Sequence, residues 1–248
     1  MNSTIETLLK HRSIRKFLDQ PLTKDEIQTI VTSAQAASTS SFIQAYSIIG
    51  VKDPEKKREL ADAAGGQSYV EENGHFFVFC ADLHRHDILG DLHGADLQNT
   101  LESTEKFMVA LIDASLAAQN ATIAAESMGL GICYIGGIRN DLERVSRLLE
   151  LPDRVIPLFG LAVGHPAQDP DVKPRLPFAE VYHEDRYETD DEMKANLEAY
   201  DTSVSKYYEE RTGGKRQDTW TEQMAKMLSM KKRMYMKDFV KDKGFNLK

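Results

Sequence analysis

The chain has 248 residues, 41% of them hydrophobic and 28% charged, with a formal net charge of −8. That length supports a sizeable core, and that composition is ordinary for a globular domain rather than a disordered or fibrous chain. The acidic balance excludes a general nucleic-acid binder, whose affinity rests on a basic face. Cys80 and Cys133 lie far apart in apolar runs. They read as buried thiols of a reducing compartment, not as a disulfide framework or a zinc knuckle. The opening MNSTIETLLKHR lacks a signal-peptide apolar core. No uninterrupted apolar run reaches membrane-spanning length, because the longest carries Asp113 and Asn120. The expectation is a cytoplasmic protein without a membrane partner.

In chain order, Ser3-x-x-Glu6 has the form of a capping box and predicts a helix to about Lys10. His11-Arg12-Ser13-Ile14-Arg15 follows, with three potentially cationic groups and a hydroxyl in five residues. Such a set suits a phosphate, which guanidinium forks grip bidentately; a solvated basic helix end is the alternative. Thr23-x-x-Glu26 is a second capping box, before a helix with Ile27, Ile30 and Val31 inward. The loop Ala36–Ser41, AASTSS, offers several donors and acceptors to a polar ligand, or is a plain solvent loop.

Tyr46–Val51 reads as a strand, and Asp53-Pro54 as a cap and first-turn proline for a helix to about Ala64. Gly65-Gly66 ends that helix, with Gln67 and Ser68 after it. Phe76–Ala81 is a central-strand candidate. Residues 83–104 are polar and carry His84, His86 and His93, without a third clustered ligand, so they read as a variable surface segment and not a metal site. Lys106–Gly137 is the longest apolar and small-residue stretch. Its alanines allow close backbone approach, Gly129 and Gly131 stop the helix, Ile132–Ile135 is a short buried strand, and Gly136-Gly137 open its far end. Bare backbone at such an edge suits a flat cofactor; an ordinary turn is the alternative.

Asn140-x-x-Glu143 predicts a further helix, and Val155–Val163 a further strand. Lys173-Pro174-Arg175-Leu176-Pro177 holds two cations at a stiff separation, suited to an anion or simply an exposed linker. From about Asp190 the chain is charged and dotted with aromatics, with helical segments at about 191–211 and 221–243. Between them lies Arg211-Thr-Gly-Gly-Lys215-Arg216, a flexible basic hairpin attractive to a phosphate or a plain connector. A tail this extended predicts wrapping of a partner subunit. Gly129-x-Gly131 does not continue as a dinucleotide fingerprint, because Tyr134 takes the third glycine position. No Walker A sequence or complete nucleophile elbow occurs.

Taken together, His11–Arg15, Ser38–Phe42, Gly65–Gln67, Gln119–Gly137 and Lys173–Pro177 resemble the FMN-dependent nitroreductase superfamily. The likeness is to its NADPH-preferring, oxygen-insensitive nitroreductase and flavin reductase branch, which Asp218-Thr219-Trp220 also fits. The resemblance implies an α+β fold, a central mixed but mostly antiparallel sheet flanked by helices, in an intertwined homodimer. It implies an FMN-binding core over residues 1–189. A helical extension over 190–248 would wrap the partner and carry the NADPH-binding loop.

Carried onto this sequence, the resemblance gives the FMN phosphate and nearby ribityl oxygens to His11, Arg12, Ser13 and Arg175. Arg15 and Lys173 would lie nearer the flavin ring or ribityl chain and stabilise its reduced form. Ser38, Thr39, Ser40 and Gln67 would contact ring or ribityl polar groups, with Tyr134, Ile135, Gly136 and Gly137 backing the flavin. Arg211, with Lys215 or Arg216, would meet the 2′-phosphate of NADPH. The activity implied is ping-pong, two-electron reduction of small-molecule acceptors (nitroaromatics, quinones or free flavin) by NADPH or NADH, with no catalytic side chain. A non-catalytic flavin carrier or redox sensor is the alternative. Whether residues 84–104 lid the site is open at this level.

Overall fold

In the computed structural model, which describes residues 2–248, chain contacts define two compact units. One runs to Pro170 and includes Arg233–Lys248; the other is Asp171–Lys232.

In the first unit, α1 (Ser3–Leu9) is capped by Asn2, whose side chain accepts from the Ile5 amide at 3.0 Å. The cap thus sits one residue before the expected Ser3, which already has helical geometry. Both halves of the Thr23–Glu26 box form at α2 (Lys24–Gln35). After β1 (Tyr46–Val51), Asp53 caps α3 (Pro54–Ala63) with Pro54 in its first turn. There follow β2 (His75–Asp82), α4 (His84–His93), α5 (Gln98–Leu101), α6 (Thr104–Ser127), β3 (Gly131–Ile135), α7 (Leu142–Leu148) and β4 (Val155–Gly164). Asp141, not Asn140, caps α7, its carboxylate accepting from the Arg144 amide at 3.0 Å.

The sheet order is β1-β2-β4-β3, and all three ladders are antiparallel. The parallel component expected of a mixed sheet reduces, among the described residues, to the isolated bridge Ser13–Ile132 beside the edge strand β3. Pairing slips between Phe79 and Cys80, opposite Pro157 and Phe159, so Leu158 is bulged. Pro157 has no N–H for a ladder, and the Leu158 carbonyl is instead taken by Arg139 Nη1 at 2.6 Å. A Cβ on Gly160 would stand 2.1 Å from Phe76 Cζ, so that strand position takes only glycine.

β2 is buried along its whole length. Phe77 and Phe79 pack with the α6 alanines 110, 114, 117, 118 and 121, while Phe76, Val78 and Cys80 pack with Leu60, Ala64, Ile138 and Val145. By length and apolarity alone α6 is able to cross a bilayer, contrary to the sequence expectation; here its alanine face is core. Small side chains let α2 approach closely enough for Asn120 Nδ2 to donate to the Ser33 carbonyl at 3.2 Å. Gly129, at φ 80°, ends α6. Gly131 has no such role: it is the first residue of β3, pressed on Ile14. On the other side of α6, Met108, Ile112 and Leu116 form an exposed stripe at four-residue spacing.

In the second unit, Thr189 and Glu192 box the start of α8 (Asp190–Thr212), and Gly213 ends it in the left-handed conformation. Thr219 caps α9 (Trp220–Ser229). Tyr200 and Trp220 meet edge to face at 5.8 Å, and the Thr221 amide donates to Asp201 at 2.9 Å.

The single helix expected over 221–243 is divided. Its second part, α10 (Met236–Asp242), belongs to the first unit, and Met230 and Arg233 leave helical geometry between the two. Phe239, Val240 and Phe245 are buried in the first unit's core, and Tyr235 Oη accepts from the Leu142 amide at 2.9 Å. The compact division therefore falls at Asp171 and Lys232 rather than at residue 190. The end of the tail joins the first unit because its aromatics find a core there.

Candidate functional site

The cationic N-terminal segment is held as an extended partner of β3. The Ile14 amide donates to the Ile132 carbonyl at 2.8 Å, and Ile14 is buried against Gly131, where a Cβ would lie 2.7 Å from Ile14 Cγ1. This anchoring fixes the residues on either side. His11 Nδ1 lies 2.7 Å from Glu126 Oε1. Arg12 Nε donates to Asp169 Oδ1 at 2.8 Å, with Nη2 on the same oxygen, and Nη1 donates to the Lys10 carbonyl at 3.2 Å. The Arg15 guanidinium lies 6.0 Å from the Tyr69 ring centroid. Burial pushes the Cys133 thiol up, opposed by nearby Arg15 and Ser13.

Tyr69 closes the turn that begins at Gly65 (φ 91°) and Gly66 (φ 75°). Both conformations favour glycine, and beyond Gly66 a Cβ would meet no atom within 4 Å. Gln67 Nε2 donates to the Ala64 carbonyl at 3.1 Å. On Gly137 a Cβ would stand 2.5 Å from that carbonyl and 2.9 Å from Gln67 Nε2, so the turn and the end of β3 touch backbone to backbone. Gly136 is covered instead by a side chain: a Cβ there would stand 2.9 Å from Arg139 Nη2. Tyr134 is partly exposed; Thr122 Oγ1 donates to its hydroxyl at 3.0 Å, and burial raises its pKa. Ile135 is buried. The structure thus brings His11–Arg15, Gln67 and Tyr134–Gly137 into one neighbourhood.

Of Ser38, Thr39 and Ser40, the last is anchored on α6. Fully buried Asp113 accepts from the Ser40 amide at 3.0 Å and the Ala45 amide at 2.9 Å. The loop between them carries positive φ at Ser41, Phe42 and Gln44, and Phe42 is 83% exposed. No hydrogen bond among the described residues joins this loop to the Gly65–Tyr69 turn. His86 of the H-x-H pair has Nε2 2.7 Å from the Ile43 carbonyl oxygen and so ties α4 to the same loop.

The remaining predicted residues belong to the second unit. Tyr200 Oη donates to the Pro174 carbonyl at 3.0 Å, which holds the Lys173–Arg175 segment. Lys173 and Arg175 line a cleft of about 650 Å³ with Tyr200, Tyr207, Tyr208 and Trp220. Arg211 Nη1 donates to Tyr207 Oη at 3.1 Å. The Arg216 guanidinium lies 4.3 Å from the Tyr208 ring centroid, and its Nε donates to Asp218 Oδ2 at 2.6 Å, which raises its pKa. Lys215 is exposed and takes part in no ion pair among the described residues.

Residue-by-residue reading did not assign Asp113, Glu126, Arg139, Tyr69 or Asp169 a role. For Asp113 and Glu126 a signal existed: a carboxylate in an otherwise apolar helix has a buried partner to satisfy. Asp169 and Tyr69 carry no such mark, because each is an ordinary loop residue until the chain folds.

The family model "Nitroreductase family" matches residues 8–165, and "Nitroreductase family, C-terminal domain" matches residues 173–248. The chain is 62% identical over 247 residues to an FMN reductase (NADPH) of Bacillus subtilis, covering 99% of each. Its fold matches the structure of Bacillus megaterium NfrA1 with a TM-score of 0.98 at 69% identity, over 99% of this chain and 100% of that one. It matches the Vibrio harveyi NADPH:FMN oxidoreductase complexed with NAD+ with a TM-score of 0.90 at 41% identity, over 100% of both chains.

Proposed function

The chain belongs to the nitroreductase family, and from that premise we propose that it is an FMN-dependent NADPH oxidoreductase. Its acceptors in this reading are nitroaromatics, quinones or free flavin, reduced by two electrons in a ping-pong cycle. The observation that carries the proposal is the neighbourhood of His11–Arg15, the Gly65–Gln67 turn and the end of β3.

The donor set there fits FMN. Arg12 already grips one carboxylate oxygen with two nitrogens, as it can grip a phosphate. Positive φ with open space beyond Gly66 leaves room for a flat ring there, whereas the bare sides of Gly136 and Gly137 are taken by Arg139 and by Ala64 and Gln67. His11, Arg12, Ser13 and Arg175 hold the phosphate end in this reading. Ser38, Thr39, Ser40 and Gln67 serve ring or ribityl polar groups, and Tyr134–Gly137 back the ring.

FMN, when bound, supplies a ring that accepts a hydride and returns two electrons to an acceptor. In this reading Arg15 and Lys173 would supply positive charge to offset the negative charge that develops on reduction, the logic of an oxyanion hole. No side chain is required as a nucleophile. Arg211, with Lys215 or Arg216, receives the 2′-phosphate and favours NADPH over NADH.

We read the protein as a homodimer. The exposed stripe of Met108, Ile112 and Leu116 supports this, since three apolar side chains aligned on one helix suit a second copy. The two buried free thiols support a cytoplasmic setting.

The test is an anaerobic visible spectrum of the purified protein before and after stoichiometric NADPH. A bound-flavin spectrum that bleaches, and recovers on adding a quinone, is expected. Flavin that bleaches with neither NADPH nor NADH favours a carrier or sensor. Failure to take up FMN refutes the site.

A further inference from the structure

We propose that Tyr207 and Tyr208 are positioning residues that hold Arg211 and Arg216 ready for a 2′-phosphate, and thereby set the preference for the phosphorylated dinucleotide. The inference rests on the reading of the basic hairpin as the 2′-phosphate site.

Two adjacent tyrosines on the last turns of α8 each engage a different arginine. Tyr207 and Arg211 are four residues apart and share one helix face, with Arg211 Nη1 on the Tyr207 hydroxyl at 3.1 Å and the guanidinium 5.8 Å from the ring centroid. Arg216 reaches Tyr208 from beyond the hairpin, 4.3 Å from its ring centroid. That return depends on Gly213 (φ 60°) and Gly214 (φ 80°), and the Arg216 amide is pinned by the Thr212 hydroxyl at 2.9 Å.

An arginine on a two-glycine hairpin has many rotamers, and a phosphate that binds it must first select one. A tyrosine ring removes that cost in a way a carboxylate cannot. Its face attracts the guanidinium plane without cancelling the charge the phosphate needs. Two of the acidic neighbours are engaged elsewhere: Glu210 pairs with Lys206 at 3.8 Å, and Glu209 accepts from Gln217 at 3.0 Å. Asp218 occupies only the Nε edge of Arg216, which leaves the terminal nitrogens for a ligand. Because NADH has no 2′-phosphate, preorganising these two side chains changes affinity for one dinucleotide and not for the other.

The experiment is calorimetric titration of the flavin-loaded protein with 2′,5′-ADP, and with 5′-AMP as the probe lacking the 2′-phosphate. The variants are Tyr207→Phe, Tyr208→Leu, Tyr208→Phe, Arg211→Ala and Arg216→Ala. Loss of the ring in Y208L is expected to weaken 2′,5′-ADP about two- to fivefold, the effect of one exposed cation–π contact, with 5′-AMP unchanged. Y208F keeps the ring and should bind as wild type. Y207F removes only the hydroxyl acceptor and should weaken 2′,5′-ADP alone, which keeps the proposal testable if Y208L folds poorly. R211A and R216A should each weaken 2′,5′-ADP by roughly tenfold or more, as loss of a charge-assisted bond does. Wild-type binding of 2′,5′-ADP by Y207F and Y208L, with R211A and R216A weakened, overturns the role of the tyrosines and spares the hairpin. Equal loss of both probes in Y208L also overturns it, because the ring then serves the adenosine. No effect in either arginine variant removes the hairpin from 2′-phosphate binding altogether.

Discussion

Glu126 Oε1 lies 2.7 Å from His11 Nδ1, joining the last turns of α6 to the segment that pairs with β3. An ionised carboxylate only accepts, so the contact assigns the proton to Nδ1 and turns Nε2 away from Glu126. If His11 serves the FMN phosphate, Glu126 sets its orientation. Glu126→Ala should therefore weaken FMN binding by about 1 kcal/mol, near fivefold, and Glu126→Gln by less, since Gln keeps an acceptor. Flavin-fluorescence titration of the apoprotein reads this directly, and unchanged affinity in E126A removes Glu126 from the site.

Asp113 sets the Ser40–Ala45 loop by accepting both its end amides from a fully buried position. Asp113→Ala leaves two amide donors without partners, in a loop with three non-glycine residues at positive φ. The expected destabilisation is about 2–4 kcal/mol, with Asp113→Asn losing roughly half as much because one acceptor survives. Urea unfolding midpoints of the three proteins measure it.

Arg12 and Arg175 are expected to share the phosphate end of the cofactor. Arg12→Ala or Arg175→Ala each forfeits charge-assisted hydrogen bonds of about 1.5–3 kcal/mol. The flavin-to-protein ratio after extended dialysis should fall in both. Full occupancy in both variants argues against the phosphate assignment.

Arg211→Ala should raise KM for NADPH about tenfold or more while barely changing KM for NADH, since only the former presents a dianion to it. Steady-state kinetics with a quinone acceptor separate the two. An equal rise for both dinucleotides places Arg211 elsewhere in recognition.

His75 sits buried at the start of β2, its Nε2 without a hydrogen-bond partner among the described residues. Burial, with Lys52 and Lys57 nearby, pushes its imidazole down to about 4. The unfolded chain, titrating near 6.5, then binds the proton more readily than the folded one. Stability from this group is present above about pH 6.5 and is lost as pH falls towards 4, on the order of 3 kcal/mol in all. Unfolding free energies of wild type and His75→Gln between pH 7 and pH 4.5 should diverge in slope, with the variant flatter. Parallel curves would mean that His75 is not the group responsible.

The helix caps and apolar runs were legible because they are local. Thr23–Glu26 and Asp53–Pro54 act within a few residues, and β2 and β4 announce themselves as long apolar stretches. Local signals fail where two adjacent residues both suit a role, as Asn2 and Ser3 do for one cap and Asn140 and Asp141 for another. They fail again where a residue's role is set by what packs on it. Gly131 reads as a helix stop beside Gly129, yet its missing side chain makes room for Ile14. The helical pattern through residues 221–243 is real on each side of the break, but Phe239, Val240 and Phe245 gain more by joining the first core than by extending α9. For the candidate site, the sequence by itself determined which groups carry charge, which positions lack a side chain, and where the chain can turn. Only the tertiary structure decided that Arg15 meets Tyr69, that Gly137 closes on Ala64, and that Ser40 is anchored on Asp113. Those contacts join residues distant along the chain, and their energies exist only once the sheet and α6 have formed.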